Sequence, residues 1–181
     1  MSYAPASIPV LETERLILRG SREDDLDALS EFYQKEEETR FIGGTLSRDK
    51  VWRSIAVDLG HWALRGFGFF AVELKSSGKL AGWCGPWAPE GWPENEIGWG
   101  IFPQFQRQGY ASEAAIETLK FAYQNLGWKT AISCIDRENT GSIGVAKKLG
   151  ALKEREDVAV IDYRVDIWRH RSPEEFMEQF A

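Results

Sequence analysis

The stretch that most restricts the fold runs from Glu96 to Asn125: "EIGWGIF", then "PQFQRQG", then "YASEAAIETLKFAYQN". Its first part reads as a strand. Its last part places Ala111, Ala115, Leu119 and Ala122, followed by Leu126, three or four residues apart, as one face of a helix of about four turns. A strand therefore feeds a helix through a polar turn that ends on Gly109. The unpaired N–H groups of Arg107 to Ala111 then converge at the positive end of the helix dipole, as they do where helix N-termini bind anions. Gly109 permits close backbone approach, and small Ala111 leaves the first turn uncrowded. On these residues alone the stretch is either an anion cradle or a plain glycine turn before a core helix.

The rest of the chain supplies further strands and helices around this unit. "LETERLILR" ends in an alternating strand, and "SREDDLDALSEFYQ" reads as a helix with Ser21 as its cap. A second helix is expected over Ser47 to Leu64, with Val51, Ile55, Leu59 and Trp62 on one stripe. Strands are expected at Phe69–Leu74, Lys79–Trp87, Glu96–Phe102 and Lys129–Ile135, with one long last strand over Val158–Trp168. "NTGSIGVAKKLGA" is a short helix closed by lysines and Gly150, and "SPEEFMEQF" a terminal helix capped by Ser172. With no repeat, linker or low-complexity run, the expected fold is α+β, one domain around a mixed sheet.

Composition removes several function classes. At 181 residues the chain has one domain's length, and no apolar run approaches the roughly 20 residues of a membrane span. "MSYAPASIPV" lacks the basic start and apolar core of a secretion signal, so residues 1–10 are expected to be a flexible leader and the location cytoplasmic. The two cysteines, Cys84 and Cys134, lack metal-ligand spacing and are expected to be free; no metal is expected. A formal charge of −6 with scattered Lys and Arg argues against nucleic acid and leaves a surface suited to a cationic partner. No Lys-Ser or Lys-Thr follows Gly109, which excludes a P-loop. "GFGFFA" precedes a strand rather than following one, which discounts a dinucleotide fingerprint.

Gln106-x-x-Gly109-x-Ala111 resembles the Gln/Arg-x-x-Gly-x-Gly/Ala signature of the GNAT superfamily of acetyl-CoA-dependent N-acetyltransferases. The whole of "EIGWGIFPQFQRQGYASEA" looks like the branch that includes the ribosomal-protein N-terminal acetyltransferases, and "LETERLILR" and "NTGSIGVAKKLGA" resemble it in the right order. The resemblance spans about Leu11 to Trp168. It implies a GNAT-like domain over 11–181, with a mostly antiparallel sheet of about seven strands splayed between its fourth and fifth. It further implies that Arg107, Gln108, Gly109, Tyr110 and Ala111 hold the coenzyme A pyrophosphate, and that Trp99 and Ile101 offer backbone partners to the pantetheine arm. Gly98 and Gly100 fit a bulged or closely approached strand, or plain packing under a tryptophan.

Asn139 and Ser142 stand at the start of the short helix. Asn139 is a helix cap, and in the resembling branch it also bonds the cofactor arm. Where the wider superfamily often has a tyrosine that protonates the departing thiolate, this chain has Ala146, so Ser142 takes the acid role or only bonds the sulfur. The implied reaction is direct attack of a primary amine, on a peptide N-terminus or a small molecule, on the thioester. A lysine-like amine with a pKa near about 10.4 needs a base more than an α-amine near about 8. Glu96 is the first candidate base and His61 the second. Trp87 and Trp92, on the loop between two strands, either wall an acceptor pocket, form a subunit contact or join the core. The alternatives to an enzyme are a non-catalytic acyl-CoA-binding module and an ATP-binding use of the Gly109 turn. The long last strand offers an edge for a possible homodimer.

Overall fold

The computed structural model describes residues 8–180. Two short strands, β1 (Leu11–Glu12) and β2 (Leu16–Arg19), occupy "LETERLILR", because the polar residues Thr13, Glu14 and Arg15 turn the chain back on itself. Helices α1 (Leu26–Tyr33), α2 (Glu36–Thr39) and α3 (Arg48–Arg65) follow. Then come β3 (Phe70–Leu74), β4 (Leu80–Trp87), β5 (Glu96–Ile101) and helix α4 (Tyr110–Gln124). The chain ends through β6 (Ile132–Ile135), α5 (Thr140–Lys148), β7 (Leu152–Val160), β8 (Tyr163–Arg169) and α6 (Pro173–Phe180). One eight-stranded sheet runs in the order β1-β2-β3-β4-β5-β6-β8-β7. Every neighbouring pair is antiparallel except β5 with β6.

The expected α+β architecture is present, with two differences in its strands. The expected long last strand is a hairpin: β7 turns at Ile161–Asp162 into β8, with Ile161 at φ 51°. No glycine or asparagine marks that turn, and the charged run "LKERED" hides a strand whose side chains face solvent. The last strand is therefore internal, paired on both sides, and the free edge belongs to β7, where Lys153, Glu154, Arg155 and Glu156 stand in a row. Charge on an edge discourages pairing with another sheet.

The core lies where α4 crosses the sheet. Ala115, Leu119 and Ala122 pack on Leu16, Leu18, Phe70, Val72 and Ile97, all fully buried. On α3, Val51, Ile55 and Trp62 turn inward, whereas Leu59 stays 40% exposed. At 100° per residue Leu59 sits about 80° round from Val51, at the rim of the stripe. Ser21 does not cap α1, which is entered through a turn of 3-10 helix, Glu23–Asp25, preceded by Arg22. Both cysteines are free; Cys84 is buried, and Cys134 is half-buried. The expected leader falls mostly outside the described residues, though Ile8 packs against the core. Among the described residues no helix is long and apolar enough to cross a membrane.

Candidate functional site

β5 and β6 meet only at their starts, where Glu96 opposes Ile132, and then part. Two side chains pin the root of the wedge. Cys134 N–H donates to Glu96 Oε1 at 2.9 Å, and Ser133 Oγ–H donates to the Ile97 carbonyl at 2.6 Å, with His170 Nε2 beside it at 2.9 Å. Burial lowers the His170 pKa to about 4, so the ring is neutral and its Nε2–H donates to Ser133. Beyond this point the carbonyls of Ile97 and Ile101 face away from β4; the Gln106 side-chain amide donates to the latter at 2.9 Å. Backbone alternation turns Trp99 the same way, so strand β5 presents N–H and C=O groups to an open gap.

From β5 the chain passes through a turn of 3-10 helix, Pro103–Phe105, into the expected loop. Arg107 has φ 59° and Gly109 φ 85°. Among the described residues the N–H groups of Arg107, Gln108, Gly109, Tyr110, Ala111 and Ser112 have no protein acceptor; the first satisfied amide is Glu113, bonded to the Gly109 carbonyl at 3.0 Å. Six consecutive free donors at a helix N-terminus form an anion nest. The loop is latched from outside by the β1–β2 turn. Thr13 Oγ–H and Arg15 Nε–H donate to the Glu113 carboxylate at 2.5 and 2.7 Å, and Arg15 Nη1–H to the Gln108 carbonyl at 2.9 Å. Arg15 also lies 4.5 Å over the Tyr110 ring. The polar residues that break "LETERLILR" into two strands thus fix the loop, a connection that spacing alone does not reveal.

A cavity of about 580 Å³ runs along this loop and the wedge, lined by Trp99, Ile101, Arg107, Gly109, Tyr110, Ala111, Asn139 and Ser142. Of the sequence-derived cofactor residues only Gln108 is outside the lining, its side chain reaching back to the Gln104 carbonyl. Asn139 caps α5, its Oδ1 accepting from Ser142 N–H at 3.1 Å. Ala146 is fully buried with Ile135, Ala151 and Trp168, which leaves no place for a tyrosine there.

A second cavity of about 440 Å³ adjoins the first, sharing Phe41, Ile42, Trp83, Trp99, Asn139 and Ser142. Glu96 lines its floor, with Trp92 Nε1–H donating to Oε2 at 2.6 Å. Burial pushes this carboxyl up to about 7, against the opposing pull of the bonds from Cys134 and Trp92. Ser142 stands where the cavities join and Glu96 in the second alone. His61 lines neither: its Nδ1 bonds the Phe67 carbonyl at 2.6 Å, its Nε2 accepts from Ala88 N–H at 3.3 Å, and its ring stacks behind Trp87 at 4.3 Å.

Trp87 and Trp92 both line the second cavity, and the two β5 glycines explain how aromatic rings reach it. A Cβ on Gly98 would lie 3.0 Å from the Phe69 ring, and one on Gly100 only 2.3 Å from Trp83. The β4–β5 register is unbroken here, so the glycines make room for rings and mark no bulge. Tyr33, Phe41, Phe69, Trp83 and Tyr163 also line this cavity, and the sequence carries no signal that brings them together. They come from separate elements, and a lone aromatic on a strand or helix looks like core.

Residues 15–152 match the family described as Acetyltransferase (GNAT) domain. The uncharacterized N-acetyltransferase YoaA of Bacillus subtilis (strain 168) is 28% identical over 151 residues, 81% of this chain and 84% of that protein. The crystal structure of the acetyltransferase from Agrobacterium tumefaciens str. C58 superposes with a TM-score of 0.82 at 27% identity, covering 94% of this chain and 99% of the other. RimL, a ribosomal L7/L12 alpha-N-protein acetyltransferase in complex with coenzyme A, gives a TM-score of 0.74 at 15% identity over 90% and 97% of the two chains, a likeness of fold alone.

Proposed function

The chain belongs to the GNAT acetyltransferases, and on that premise we propose that the loop-and-wedge cavity holds acetyl-CoA while the cavity beyond Ser142 holds the amine. It is an acetyl-CoA-dependent N-acetyltransferase. The observation that carries this assignment of sites is the run of six unpaired N–H groups from Arg107 to Ser112, beside a wedge that opens into a second cavity. Orphaned donors at the positive end of α4 fit a diphosphate, and Arg107, within the loop itself, adds a cationic side chain beside them.

Acetyl-CoA supplies the acetyl group as a thioester, open to direct attack by a neutral amine. The chain's residues divide the remaining work. Backbone amides of the loop hold the diphosphate, and the outward groups of Trp99 and Ile101 guide the arm into the wedge. Asn139 fixes the first turn of α5 and so the position of Ser142, whose hydroxyl supports the departing sulfur. Glu96, half-deprotonated near neutrality, accepts the ammonium proton directly or through water.

Calorimetry with coenzyme A and steady-state release of free thiol with primary amines test this reading together. Gly109→Val places a side chain where φ is 85° and is expected to raise KM for acetyl-CoA at least about 10-fold. No uptake of coenzyme A, or no thiol release with any amine, would overturn the reading.

A further inference from the structure

The second cavity carries a statement about its occupant that the family does not. Eight aromatic residues line it, among them Tyr33, Phe69, Trp83, Trp87, Trp99 and Tyr163, drawn from α1, the β3–β5 face and the β7–β8 hairpin. Phe69 stacks on Trp87 at 4.7 Å and 14°, and Tyr33 on Trp83 at 6.3 Å and 12°. The two glycines of β5 give up their side chains to admit two of these rings. The lining contains the carboxylates Glu96 and Asp136 and no lysine, arginine or histidine. The neighbouring groove is lined by Arg40, Arg107 and Lys148 as well as Glu37, Glu38 and Glu138, so cationic side chains stand on that side of the division only.

We propose that the acceptor is a small arylalkyl primary amine without a carboxylate. This rests on the reading of the second cavity as the amine site. An ammonium group is drawn to Glu96 and Asp136 and to the faces of the rings, whereas a carboxylate would be enclosed with no cation to pair it. An aromatic body fills space that a short aliphatic chain leaves empty. In the transfer, the amine nitrogen forms its bond to the acetyl carbon as the carbon–sulfur bond breaks. One ammonium proton goes to Glu96 before attack, a second leaves the nitrogen afterwards, and coenzyme A departs as the thiol or thiolate. Tyr163 closes the pocket: a Cβ on Gly43 would lie 2.8 Å from its hydroxyl, so the β7–β8 hairpin reaches the loop after α2.

The test compares kcat/KM, read by thiol release, for 2-phenylethylamine, L-phenylalanine, ethylamine and a short serine-initiated peptide. The expected order puts 2-phenylethylamine at least about 10-fold above ethylamine, in the range a hydrophobic pocket discriminates, and about 100-fold above phenylalanine. Tyr163→Ala, at a 42% exposed residue, is expected to raise KM for 2-phenylethylamine about 3- to 10-fold while leaving KM for acetyl-CoA unchanged. Equal or better turnover of phenylalanine, ethylamine or the peptide overturns the proposal and leaves the transferase reading standing. Absence of thiol release with every amine, although coenzyme A binds, overturns the proposal and the amine-transfer reading together.

Discussion

Glu96 is held by forces that pull its protonation in opposite directions. Burial favours the neutral carboxyl, while the N–H groups of Cys134 and Trp92 favour the carboxylate, and the balance falls at about 7. A base must be deprotonated, so kcat/KM is expected to rise as pH increases through about 7. Trp92→Phe removes a donor to the charged form and should move that acid limb to higher pH, visible in a pH–rate profile; an unmoved limb would exclude Glu96 as the titrating group. Ser142→Ala separates the two roles left open for the hydroxyl: a fall in kcat of about 10-fold or more at saturating acetyl-CoA supports acid assistance, and an unchanged rate removes it. The positions of Ser142, Asn139 and Glu96 beside the cavities are legible because each belongs to a local pattern, a cap or a strand entry. His61 lies outside both cavities, and the sequence does not reveal this. Nothing near it in sequence announces that the Phe67 carbonyl and Ala88 N–H occupy its two nitrogens.

The strand–loop–helix unit shows why some elements are readable and others are not. Period two passing into period 3.6 across a glycine is a local signal, and β5, the loop and α4 follow it to within a residue or two. The division of the first and last strands is harder to read. The Thr13–Arg15 turn is closed locally between Thr13 and Leu16, but its bracing by Glu113, about a hundred residues away, is not, and the β7–β8 turn at Ile161 has no glycine to betray it. The latch has a functional consequence that can be measured. Glu113→Ala releases Thr13 and Arg15 and loosens the anchor on the Gln108 carbonyl. If the loop holds the cofactor as proposed and does not touch the reacting atoms, KM for acetyl-CoA is expected to rise about 3- to 30-fold with kcat little changed. Equal losses in kcat and kcat/KM would place the latch in the chemistry instead.

Across the whole molecule, burying ionisable groups around one aromatic-rich site makes stability depend on pH. Asp58, on the face of α3 toward Tyr33, Phe69 and Trp83, has no hydrogen-bond or ionic partner among the described residues, and burial raises its pKa from 3.8 to about 7. Glu96 is raised similarly from 4.5. Between these unfolded and folded values the native state holds more protons than the unfolded chain, so both groups make stability fall as pH rises from about 4 to about 7. His170, lowered from 6.5 to about 4, acts in the opposite sense between those two values, because the unfolded chain binds the proton that the native ring refuses. The carboxyl penalty is complete above pH 7 and absent below about pH 4. Asp58→Asn removes one share of it at a residue that is not itself in the lining of the second cavity. A shift of about 3 units sets a ceiling near 4 kcal/mol, and the partial exposure of residue 58 together with the cost of its new amide reduces the gain to about 1–3 kcal/mol at pH 8. Thermal unfolding should register this as a rise of roughly 2–10 °C in Tm at pH 8 that shrinks toward nothing at pH 4. A gain that stays constant across that range would mean that Asp58 is not charged and unpaired in the native protein.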